Sequence, residues 1–541
     1  MNAPFDVLVI GAGPVGLTMA CELARNGVKC RIIDKTAAPA STSRALAIFP
    51  RTLEMFQMMG MSGPVLEAGH PLDGVAIYGR SGQIGHIGFS NLPSRYRFAI
   101  SLPQSETERL LMDHLAGFGI AVERERELVD LSQSATAAQA VIRNSDGLEE
   151  RLESGWLIAC DGAHSSVRHL LNLPFEGAAY PETFLLADVK IEGHLDHIHI
   201  HLFLTGEGVV GIFPFRGDRC RIIVNTQTEA EDQPLGELRL DEIQAVVKSR
   251  TNSEMRLVDP VWLSRFRISH RKISDFRVGR VFLAGDAAHI HSPAGGQGMN
   301  TGIQDAVNLA WKLALVVHKK SSDSLLNSYN EEREPVAKMV LSLTDRLTRM
   351  ATLQGALGQQ LRNALLPLLT GIHLVEDRIA ETMSEIGIHY RRSSIVSGKT
   401  GHTVQAGDRA PDCEFQLETV QEPLRLLDLL QKPAHHLLFF ADADADLAAR
   451  SNALRVEIGH NFPGFINAFV VIRGAHANFS SVLFDVDGAA HSLYEAEPGA
   501  IVLIRPDGYI GFRGGAKHAG ALREHLERIF QGRIYTESNP G

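Results

Sequence analysis

The sequence predicts an α/β protein with more than one domain, and three observations lead to this prediction. The chain has 541 residues, of which 44% are hydrophobic and 21% are charged, so it is long enough to build several cores. Near the N-terminus, two apolar runs of strand length flank a glycine-rich turn and a helix-length segment. A separate stretch in the middle of the chain alternates β-branched, aromatic and polar residues, which is typical of antiparallel strands.

Composition narrows the classes of function. The formal net charge of -10 argues against a surface that binds nucleic acid. No run of about 18 uncharged apolar residues is present in the sequence, so we expect no membrane-spanning helix. The five cysteines are scattered and form no CxxC pair, which favours a reducing compartment and a cytoplasmic protein.

The first 34 residues predict a βαβ unit. Val7–Ile10 is a short apolar run that leads straight into glycines, so it indicates a strand rather than a secretion signal. A helix is predicted over Val15–Asn26, where Gly27 ends it, and a second strand over Cys30–Ile33. Such a unit is the opening of a nucleotide-binding domain of the Rossmann type.

The turn between the first strand and the helix carries a GxGxxG pattern, Gly11-Ala12-Gly13-Pro14-Val15-Gly16. Glycine lets backbone N–H groups approach a pyrophosphate at the positive end of the helix. Asp34 ends the second strand, about 18 residues beyond Gly16, where a carboxylate can hold the ribose hydroxyls of an adenosine. The candidate dinucleotide-binding residues are therefore Gly11, Gly13, Pro14, Gly16, Asp34 and the adjacent Lys35.

Changes in pattern along the chain predict four regions. They are the first part of the nucleotide-binding domain (1–180), an inserted antiparallel sheet for the substrate (181–275), a return to the nucleotide-binding domain with a helical segment (276–400), and a separate α/β domain (401–541). The helical segment includes a long helix predicted over Met299–His318. Strands of the last region are predicted at His436–Phe440, Ala468–Ile472 and Ile501–Arg505.

Two later segments decide which dinucleotide the fingerprint binds. Cys160-Asp161-Gly162-Ala163-His164-Ser165-Ser166-Val167-Arg168 indicates a strand end, a turn and a helix start, and Gly285-Asp286 follows another strand. Together they resemble the DG (DGxxSxxR) and GD motifs of the class A flavoprotein monooxygenases, the family of para-hydroxybenzoate hydroxylase. The resemblance implies that FAD is the cofactor, that Asp286 after Gly285 binds its ribityl chain, and that Asp161 helps to place FAD and the nicotinamide cofactor.

Further segments also resemble this family. In Pro293-Ala294-Gly295-Gly296-Gln297-Gly298-Met299-Asn300, the resemblance implies that Pro293 lies near the reactive flavin edge. It also implies that the loop backbone, with Gly298, Met299 and Asn300, lines the isoalloxazine. A helix that begins there would direct amides and a positive dipole at the flavin N1/O2 locus. Arg44 and Gln104 match the positions of two other residues that contact the flavin in the family.

The sequence is most similar to the phenol-ring hydroxylases of the pentachlorophenol monooxygenase and 3-(3-hydroxyphenyl)propionate hydroxylase type. Those enzymes carry a C-terminal thioredoxin-like domain, and Leu503–Arg513 resembles its terminal hairpin. Cys413 is the only cysteine after residue 400, so dithiol exchange within this domain is excluded. The implied fold is α/β: a Rossmann-like FAD-binding domain with an inserted antiparallel-sheet substrate domain, a helical segment and a thioredoxin-like domain without CxxC.

The resemblance implies a monooxygenase that uses NAD(P)H and O2 to hydroxylate a small phenolic or other aromatic substrate through a flavin C4a-hydroperoxide. Because that oxidant is an electrophile, the ring must be electron-rich, which favours phenols. Water must be kept away from the reaction. We expect a homodimer, no membrane or nucleic-acid partner, and no metal.

The residues that handle the substrate are less well marked. Candidates on the inserted sheet are His199, His201, Arg216 and Arg221, and His389-Tyr390-Arg391 resembles a segment near the substrate pocket of ring hydroxylases. The predicted catalytic residues are Tyr390, Pro293 and Arg216. His197, His199 and His201 alternate along one strand face, for which a polar outer face is the competing interpretation.

Two alternatives remain open from the sequence. A polyketide-tailoring hydroxylase or Baeyer–Villiger oxygenase of the same fold would share every flavin motif and differ only in its substrate pocket. A flavin-bound interaction protein without enzymatic activity belongs to another class, and the complete set of flavin motifs argues against it.

Overall fold

A computed structural model of the chain describes residues 5–40, 45–226, 236–292, 295–351, 373–398, 401–417, 420–441, 445–474 and 480–530. Two predicted site residues, Arg44 and Pro293, lie outside these ranges. Within the described ranges, no helix is both long enough and apolar enough to cross a membrane.

The elements up to residue 175 mix short parallel and antiparallel strands with helices. The strands are β1 (Val7–Ile10), β2 (Cys30–Ile33), β3 (Ala47–Ile48), β4 (His70–Leu72), β5 (Gly74–Gly79), β6 (Gly82–Gly88), β7 (Ala99–Ser101), β8 (Arg126–Gln133), β9 (Ala138–Asn144), β10 (Glu149–Ser154) and β11 (Trp156–Ala159). The helices are α1 (Pro14–Arg25), α2 (Pro50–Met59), α3 (Ser62–Ala68), α4 (Gln104–Gly117) and α5 (Ser166–Leu170).

The middle of the chain begins with long strands and ends with long helices. Its strands are β12 (Glu176–Glu192), β13 (His199–Leu204), β14 (Val209–Pro214), β15 (Arg219–Thr226), β16 (Arg256–Lys272), β17 (Arg277–Val278), β18 (Val281–Leu283), β19 (His289–Ile290) and β20 (Ser397–Gly398). Its helices are α6 (Leu240–Thr251), α7 (Gly298–Val317), α8 (Asn327–Ala351) and α9 (His373–Met383).

The part after residue 400 is again α/β. Its strands are β21 (Glu414–Leu417), β22 (Val420–Arg425), β23 (His435–Ala441), β24 (Ile466–Arg473), β25 (Val482–Asp485), β26 (Ala500–Ile504) and β27 (Ile510–Gly515). Its helices are α10 (Leu426–Leu429), α11 (Ala445–Asn461), α12 (Ala489–Leu493) and α13 (Ala519–Ile529).

The predicted nucleotide-binding fold is confirmed. Its sheet has the order β17-β18-β11-β1-β2, in which β1 runs parallel to β2 and β11. All four residues of β1 are buried, as expected for a central parallel strand. Helix α1 begins one residue earlier than predicted, because Pro14 needs no hydrogen-bond acceptor at the first helical position, and it packs against α7.

The inserted sheet is larger than predicted. It has the order β19-β16-β12-β15-β14-β13-β5-β6 and is antiparallel except where β13 pairs with β5. The predicted antiparallel strands form, but β5 and β6 join them from far upstream. Their glycine-rich sequences gave only a weak strand pattern, and pairing with a distant strand leaves no local signal. The domain borders at 180, 275 and 400 stay predictions.

The C-terminal part has the predicted thioredoxin-like arrangement. Strand β23, helix α11 and strand β24 form a parallel βαβ unit, followed by the antiparallel hairpin of β26 and β27 and by α13. The predicted strands agree with β23, β24 and β26 to within two residues at each end. The turn of the β26–β27 hairpin reaches the N-terminal half of the chain, where Arg51 of α2 donates a hydrogen bond to Asp507 O.

Candidate active site

The glycine-rich turn leaves an open approach above the N-terminus of α1. A Cβ on Gly11 would lie 2.4 Å from Cys160 O, and one on Gly16 would lie 1.9 Å from Gly11 O, so both glycines are required by the packing of the turn itself. Gly13 differs, because a Cβ there would meet no atom within 4 Å. With Pro14 as the first residue of α1, the turn presents open backbone where a phosphate can approach a helix N-terminus.

Asp34 is fixed beside this turn. Its Oδ2 accepts a hydrogen bond from Ala12 N at 2.7 Å, and its Oδ1 accepts from Thr36 N at 2.8 Å. The guanidinium of Arg124 lies 3.6 Å from Oδ1. The carboxylate is therefore pre-oriented at the end of β2, while the adjacent Lys35 is exposed.

The GD motif lies against the same helix end. Gly285 has a left-handed φ of +58°, and a Cβ there would lie 2.8 Å from Val15 Cγ2. Its N–H donates to Asp305 Oδ2 at 2.9 Å. A Cβ on Gly302 of α7 would likewise lie 2.6 Å from Val15 Cγ2, so the motif, α1 and α7 meet closely. Asp286, which follows strand β18, is exposed.

The DG motif contains a half-buried aspartate, one of whose carboxylate oxygens is fully buried. Asp161 Oδ2 accepts from Val167 N at 3.2 Å, whereas Oδ1 is buried and has no hydrogen-bond partner among the described residues. Burial raises the pKa of Asp161. Arg168, the last residue of the motif, donates to Ala287 O at 3.2 Å and so ties the DG turn to the GD turn. The motif contained this arginine, but its role could not be inferred from the sequence.

Asn300 holds the glycine-rich loop that precedes α7. Its Oδ1 accepts from Phe49 N at 3.0 Å, and its Nδ2 donates to Ala47 O at 2.9 Å and to Gly296 O at 3.0 Å. Both amide hydrogens are thus donated within the protein. The side chain shapes the loop, and contacts with a cofactor would come from the backbone of Gly298 and Met299.

Gln104 is the first residue of α4 and is half-buried. Its N–H donates to Ala45 O at 3.3 Å, and its Nε2 donates to Glu108 Oε1 at 2.8 Å. Arg221 also donates to Ala45 O, at 3.4 Å, from the inserted sheet. The structure therefore places Gln104 next to Ala45, the residue that follows Arg44. Arg221 connects Ala45 to the inserted sheet.

The two candidate arginines of the inserted sheet lie in different surroundings. Arg216 is exposed in the β14–β15 turn, where it donates to Glu67 O and lines a surface cavity of about 610 Å³ with Pro103. Arg221 is buried and forms two hydrogen bonds of 2.8 Å with Asp188. Its contacts fix the sheet rather than offer a guanidinium to a ligand.

His199 and His201 lie on the sheet face opposite the hydrophobic cluster that contains Leu202 and Leu204. This face is not a simple polar outer surface, because Phe203 on the same face packs against a second hydrophobic cluster. His201 is buried there: it stacks on Tyr78 with a ring separation of 5.8 Å, and its Nε2 lies 2.9 Å from Asp196 O. His197 precedes the strand and does not share its face by alternation.

An apolar wall borders the glycine-rich loop. We use this name for six half-buried side chains that cover the sheet and α9, namely Ile84, Leu202, Val209, Phe213, Ile379 and Met383. They pack on a buried cluster that includes Ala47 and Phe49. A Cβ on Gly296 would lie 3.5 Å from both Ala47 Cβ and the Phe49 ring, so the loop adjoins this cluster. Such a surface suits an aromatic ring.

Tyr390 lies in a buried cluster beneath α8. Its ring centre is 4.2 Å from that of Tyr509, and its hydroxyl accepts a hydrogen bond from Arg333 at 2.7 Å. Arg333 also donates to Asp305 Oδ1 at 2.6 Å, and Asp305 in turn holds Gly285 N. Burial raises the pKa of Tyr390 well above its ordinary value, so a phenolate base is disfavoured there near neutral pH.

Comparison with known proteins shows which family the chain belongs to. The model of the FAD binding domain family matches residues 4–344, and that of the aromatic-ring hydroxylase C-terminal family matches residues 403–532. The chain belongs to the class A FAD-dependent aromatic monooxygenases. The cofactor of this monooxygenase is FAD, and NAD(P)H is the co-substrate that the family uses.

Relatives match this monooxygenase over nearly its whole length. It is 35% identical over 539 residues to 6-methylpretetramide 4-monooxygenase of Streptomyces rimosus, covering 97% of this chain and 93% of the relative. It is 32% identical over 540 residues to pentachlorophenol 4-monooxygenase of Sphingobium chlorophenolicum, covering 98% and 97%. The solved structure of the anhydrotetracycline hydroxylase OxyS from Streptomyces rimosus superposes with a TM-score of 0.78 at 27% identity, covering 97% and 99%.

We expect Asp286→Ala to weaken FAD binding by about ten- to a hundredfold, because the family resemblance implies a charge-assisted hydrogen bond between this carboxylate and the ribityl chain. Titration of the apoprotein with FAD, followed by flavin fluorescence, measures this change. The free energy of unfolding should change by at most about 1 kcal/mol, since the side chain is exposed and solvent screens its interactions. Asp113→Ala, at another exposed position, is the matched control, and equal affinities in both variants would contradict the assignment.

We expect Tyr390→Phe to lower the free energy of unfolding by about 1–3 kcal/mol, because Arg333 loses a buried acceptor. The pH profile of hydroxylation should keep its shape. Denaturant unfolding tests the first expectation, and steady-state rates measured from about pH 6 to about pH 9 test the second. A large loss of rate at unchanged stability would instead restore the catalytic role predicted for Tyr390.

Proposed function

We propose that this monooxygenase hydroxylates a phenolic ring, using two electrons from NAD(P)H and one oxygen atom from O2. The observation that carries the proposal is the contact between the glycine-rich loop before α7 and the buried cluster of Ala47 and Phe49, on which the apolar wall packs. This contact would place an aromatic ring beside the cofactor edge that the loop serves. The exclusion of water by such a wall also suits an oxygen transfer that competes with hydrolysis and peroxide release.

The residues present fit FAD. Three features support this fit: the open position at Gly13, the carboxylate of Asp34 oriented beside the turn, and the buried Oδ1 of Asp161 without a partner among the described residues. We propose that the turn holds the pyrophosphate, that Asp34 holds the adenosine ribose, and that Asp286 holds the ribityl chain. When bound, FAD supplies the electron transfer and the activation of O2.

The start of α7 would serve the redox end of the cofactor. The first N–H groups of a helix have no acceptor within the helix, and the chain turns into α7 at Gly298 and Met299. These amides, with the helix dipole, would stabilise negative charge that develops near them. Asn300 would keep the amides in place by holding Ala47 and Gly296. Pro293 and Arg216 stay candidates for contacts with the flavin edge and the substrate.

A multi-ring aromatic polyketide is the second candidate substrate. The 35% identity to a protein named 6-methylpretetramide 4-monooxygenase favours it. The apolar wall also combines side chains from several strands of the sheet with side chains of α9. A Baeyer–Villiger oxidation of a ring ketone would use the same site. Proteins named for both substrate sizes are similar to this chain, so experiment must separate them.

The purified holoenzyme should be assayed with matched panels of single-ring and fused multi-ring phenols. NAD(P)H oxidation, peroxide release and product mass are recorded together, and NMR of any product separates ring hydroxylation from lactone formation. Coupled hydroxylation of a single-ring phenol supports the proposal, whereas coupling only with fused rings selects the second candidate. Peroxide release without product across both panels would contradict both candidate substrate classes.

We also propose, from the family resemblance, that the protein is a cytoplasmic homodimer. Sedimentation tests the dimer, and cell fractionation tests the location.

A further inference from the structure

Glu385 is a buried carboxyl group for which the proposed reaction has no use. It follows α9 and is 2% exposed. Its φ of +60° lies in the left-handed region, which residues other than glycine seldom adopt. A buried non-glycine residue in this conformation is held there by its surroundings, so the contacts of Glu385 stabilise the turn.

Side chains from one face of α7 and its N-cap reach the end of α9 and the turn after it, which contains Glu385. Gln297 Nε2 lies 3.4 Å from Thr382 O, and Thr301 Oγ1 donates to Glu385 Oε1 at 2.8 Å. Gln304 Nε2 contacts Glu385 Oε2. Positions separated by four and three residues share one face of a helix, so the three contacts form a row along the first turns of α7.

The same turn continues directly from the apolar wall. Ile379 and Met383 of α9 belong to that wall, and the turn follows Met383. Arg51 N at the start of α2 donates to Ser384 O at 3.2 Å. The turn therefore joins the helix that borders the proposed substrate position to the helix end that faces the proposed flavin position.

Glu385 has no cationic partner within ion-pair distance in the part of the chain that the structure describes. Arginines on two neighbouring helices are paired with other carboxylates: Arg333 of α8 with Asp305 of α7, and Arg51 of α2 with Glu54. A lone carboxylate is costly to bury, so the uncharged acid is favoured. Burial raises the pKa of Glu385 to about 8, against the opposing effects of the Thr301 hydrogen bond and the Arg333 charge.

The hydrogen-bonding atoms around Glu385 accommodate a proton. A carboxylic acid donates one O–H and still accepts from Thr301. Gln304 Oε1 is buried without a partner among the described residues, and the O and N atoms of a glutamine amide are interchangeable by rotation. Turning this amide gives the acid an acceptor at the position now taken by Nε2.

We propose that Glu385 is a positioning residue that acts as an uncharged carboxylic acid and clamps α9 to the first turns of α7. The clamp would keep the apolar wall and the α7 amides in register across the site. In this respect the inference rests on the proposed function, but the clamp itself is a property of the protein without substrate. Loss of the proton places an unpaired charge against α7 and loosens the clamp.

The pH dependence has a definite sign. Because the pKa of Glu385 is raised in the folded state, the folded protein keeps a proton that the unfolded chain releases above about pH 4.3. Stability from this group therefore falls as pH rises from there towards about 8. Above that pH, Glu385 loses its proton in the folded protein as well, and the affinity for FAD should fall as this ionisation proceeds.

Three variants test the proposal: Glu385→Gln, Glu385→Ala and the matched control Glu332→Gln. Glutamine keeps the shape and both hydrogen-bonding functions of the uncharged acid, so Glu385→Gln should retain wild-type FAD affinity at pH 7 to within about threefold. Wild-type affinity should fall about tenfold between pH 7 and pH 9.5, and that of Glu385→Gln should stay flat. Glu332 is a paired, charged carboxylate, so Glu332→Gln should have a lower melting temperature than the wild type at pH 7.

The readouts are the FAD affinity of the apoprotein and its melting temperature, each as a function of pH. KM and kcat are added for a substrate that the phenol panels identify. The first two need no turnover, so they stand even if the proposed substrate class is wrong. If Glu385→Gln is as impaired as Glu385→Ala at pH 7, the charged form is needed and the proposal fails. A wild-type affinity that does not change with pH, or that changes equally in Glu385→Gln, would overturn it as well.

Discussion

Gly13→Val is expected to give a folded protein that binds no detectable FAD and has no monooxygenase activity. The backbone at Gly13 is extended, with a φ of -76° and a ψ of -177°, which a β-branched residue adopts without strain. A Cβ there meets no protein atom within 4 Å, so the protein interior does not oppose the substitution. The isopropyl group would instead occupy the space through which the pyrophosphate approaches the backbone, lowering affinity by about a thousandfold or more.

Two other glycines turn this expectation into a comparison. Gly63→Val in α3 is a matched control, because a Cβ there also meets nothing within 4 Å and the residue is exposed, so this variant should purify with bound FAD. Gly16→Val should fail to fold, since its Cβ would lie 1.9 Å from Gly11 O. Absorbance of bound flavin and circular dichroism separate the three outcomes. A yellow, active Gly13→Val protein would show that FAD approaches the chain elsewhere.

Local chemistry explains why this turn could be predicted from the sequence. The strand, the glycines, Pro14 and the acidic residue at Asp34 are close in sequence, and each position is dictated by backbone geometry or by the ligand. The thioredoxin-like strands were also predictable, because their buried runs are continuous and apolar. In both cases the pattern that specifies the structure is contained in a short window.

Non-local contacts explain what the sequence could not provide. Tyr390 resembles a substrate-pocket residue, yet its ring packs on Tyr509 and its hydroxyl binds Arg333, neither of which is near it in sequence. Strands β5 and β6 join the inserted sheet only because β13 pairs with β5. Glu385 carries no motif at all, and its chemistry arises from burial against α7. Such roles depend on which side chains meet, and no periodicity records that.

The hairpin of the thioredoxin-like part meets the FAD-binding part through buried charges. Glu332 of α8 accepts hydrogen bonds from Arg505 at 2.6 and 2.9 Å and from Lys312 at 2.7 Å. Arg505 also pairs with Asp507 at 2.5 Å, and Asp507 accepts from Trp311 of α7 at 3.1 Å. All of these side chains are buried. The hairpin is therefore joined to the helices that carry the proposed flavin contacts, which gives a domain without CxxC a structural use.

Glu332→Gln is expected to lower the free energy of unfolding by about 3–5 kcal/mol at pH 7, because Arg505 and Lys312 stay buried without their carboxylate. Urea unfolding measures the loss, and bound FAD should be released at lower urea than in the wild type. Glu150→Gln is the control. Its partner Arg31 lies 3.4 Å away and its side chain is 46% exposed, so a change of at most about 1 kcal/mol is expected.

Acid should erase the difference between wild type and Glu332→Gln. Burial alone would raise the pKa of Glu332, but Arg505 and Lys312 outweigh it and hold the pKa well below its ordinary value. The stability that this carboxylate contributes is therefore complete above the unfolded pKa of about 4.3 and is lost as pH falls below it. Unfolding curves recorded from pH 7 downward should converge in the acid range. A constant gap between the two proteins would mean that glutamine disturbs packing rather than charge, and the hairpin would then be held by shape instead of by its ion pairs.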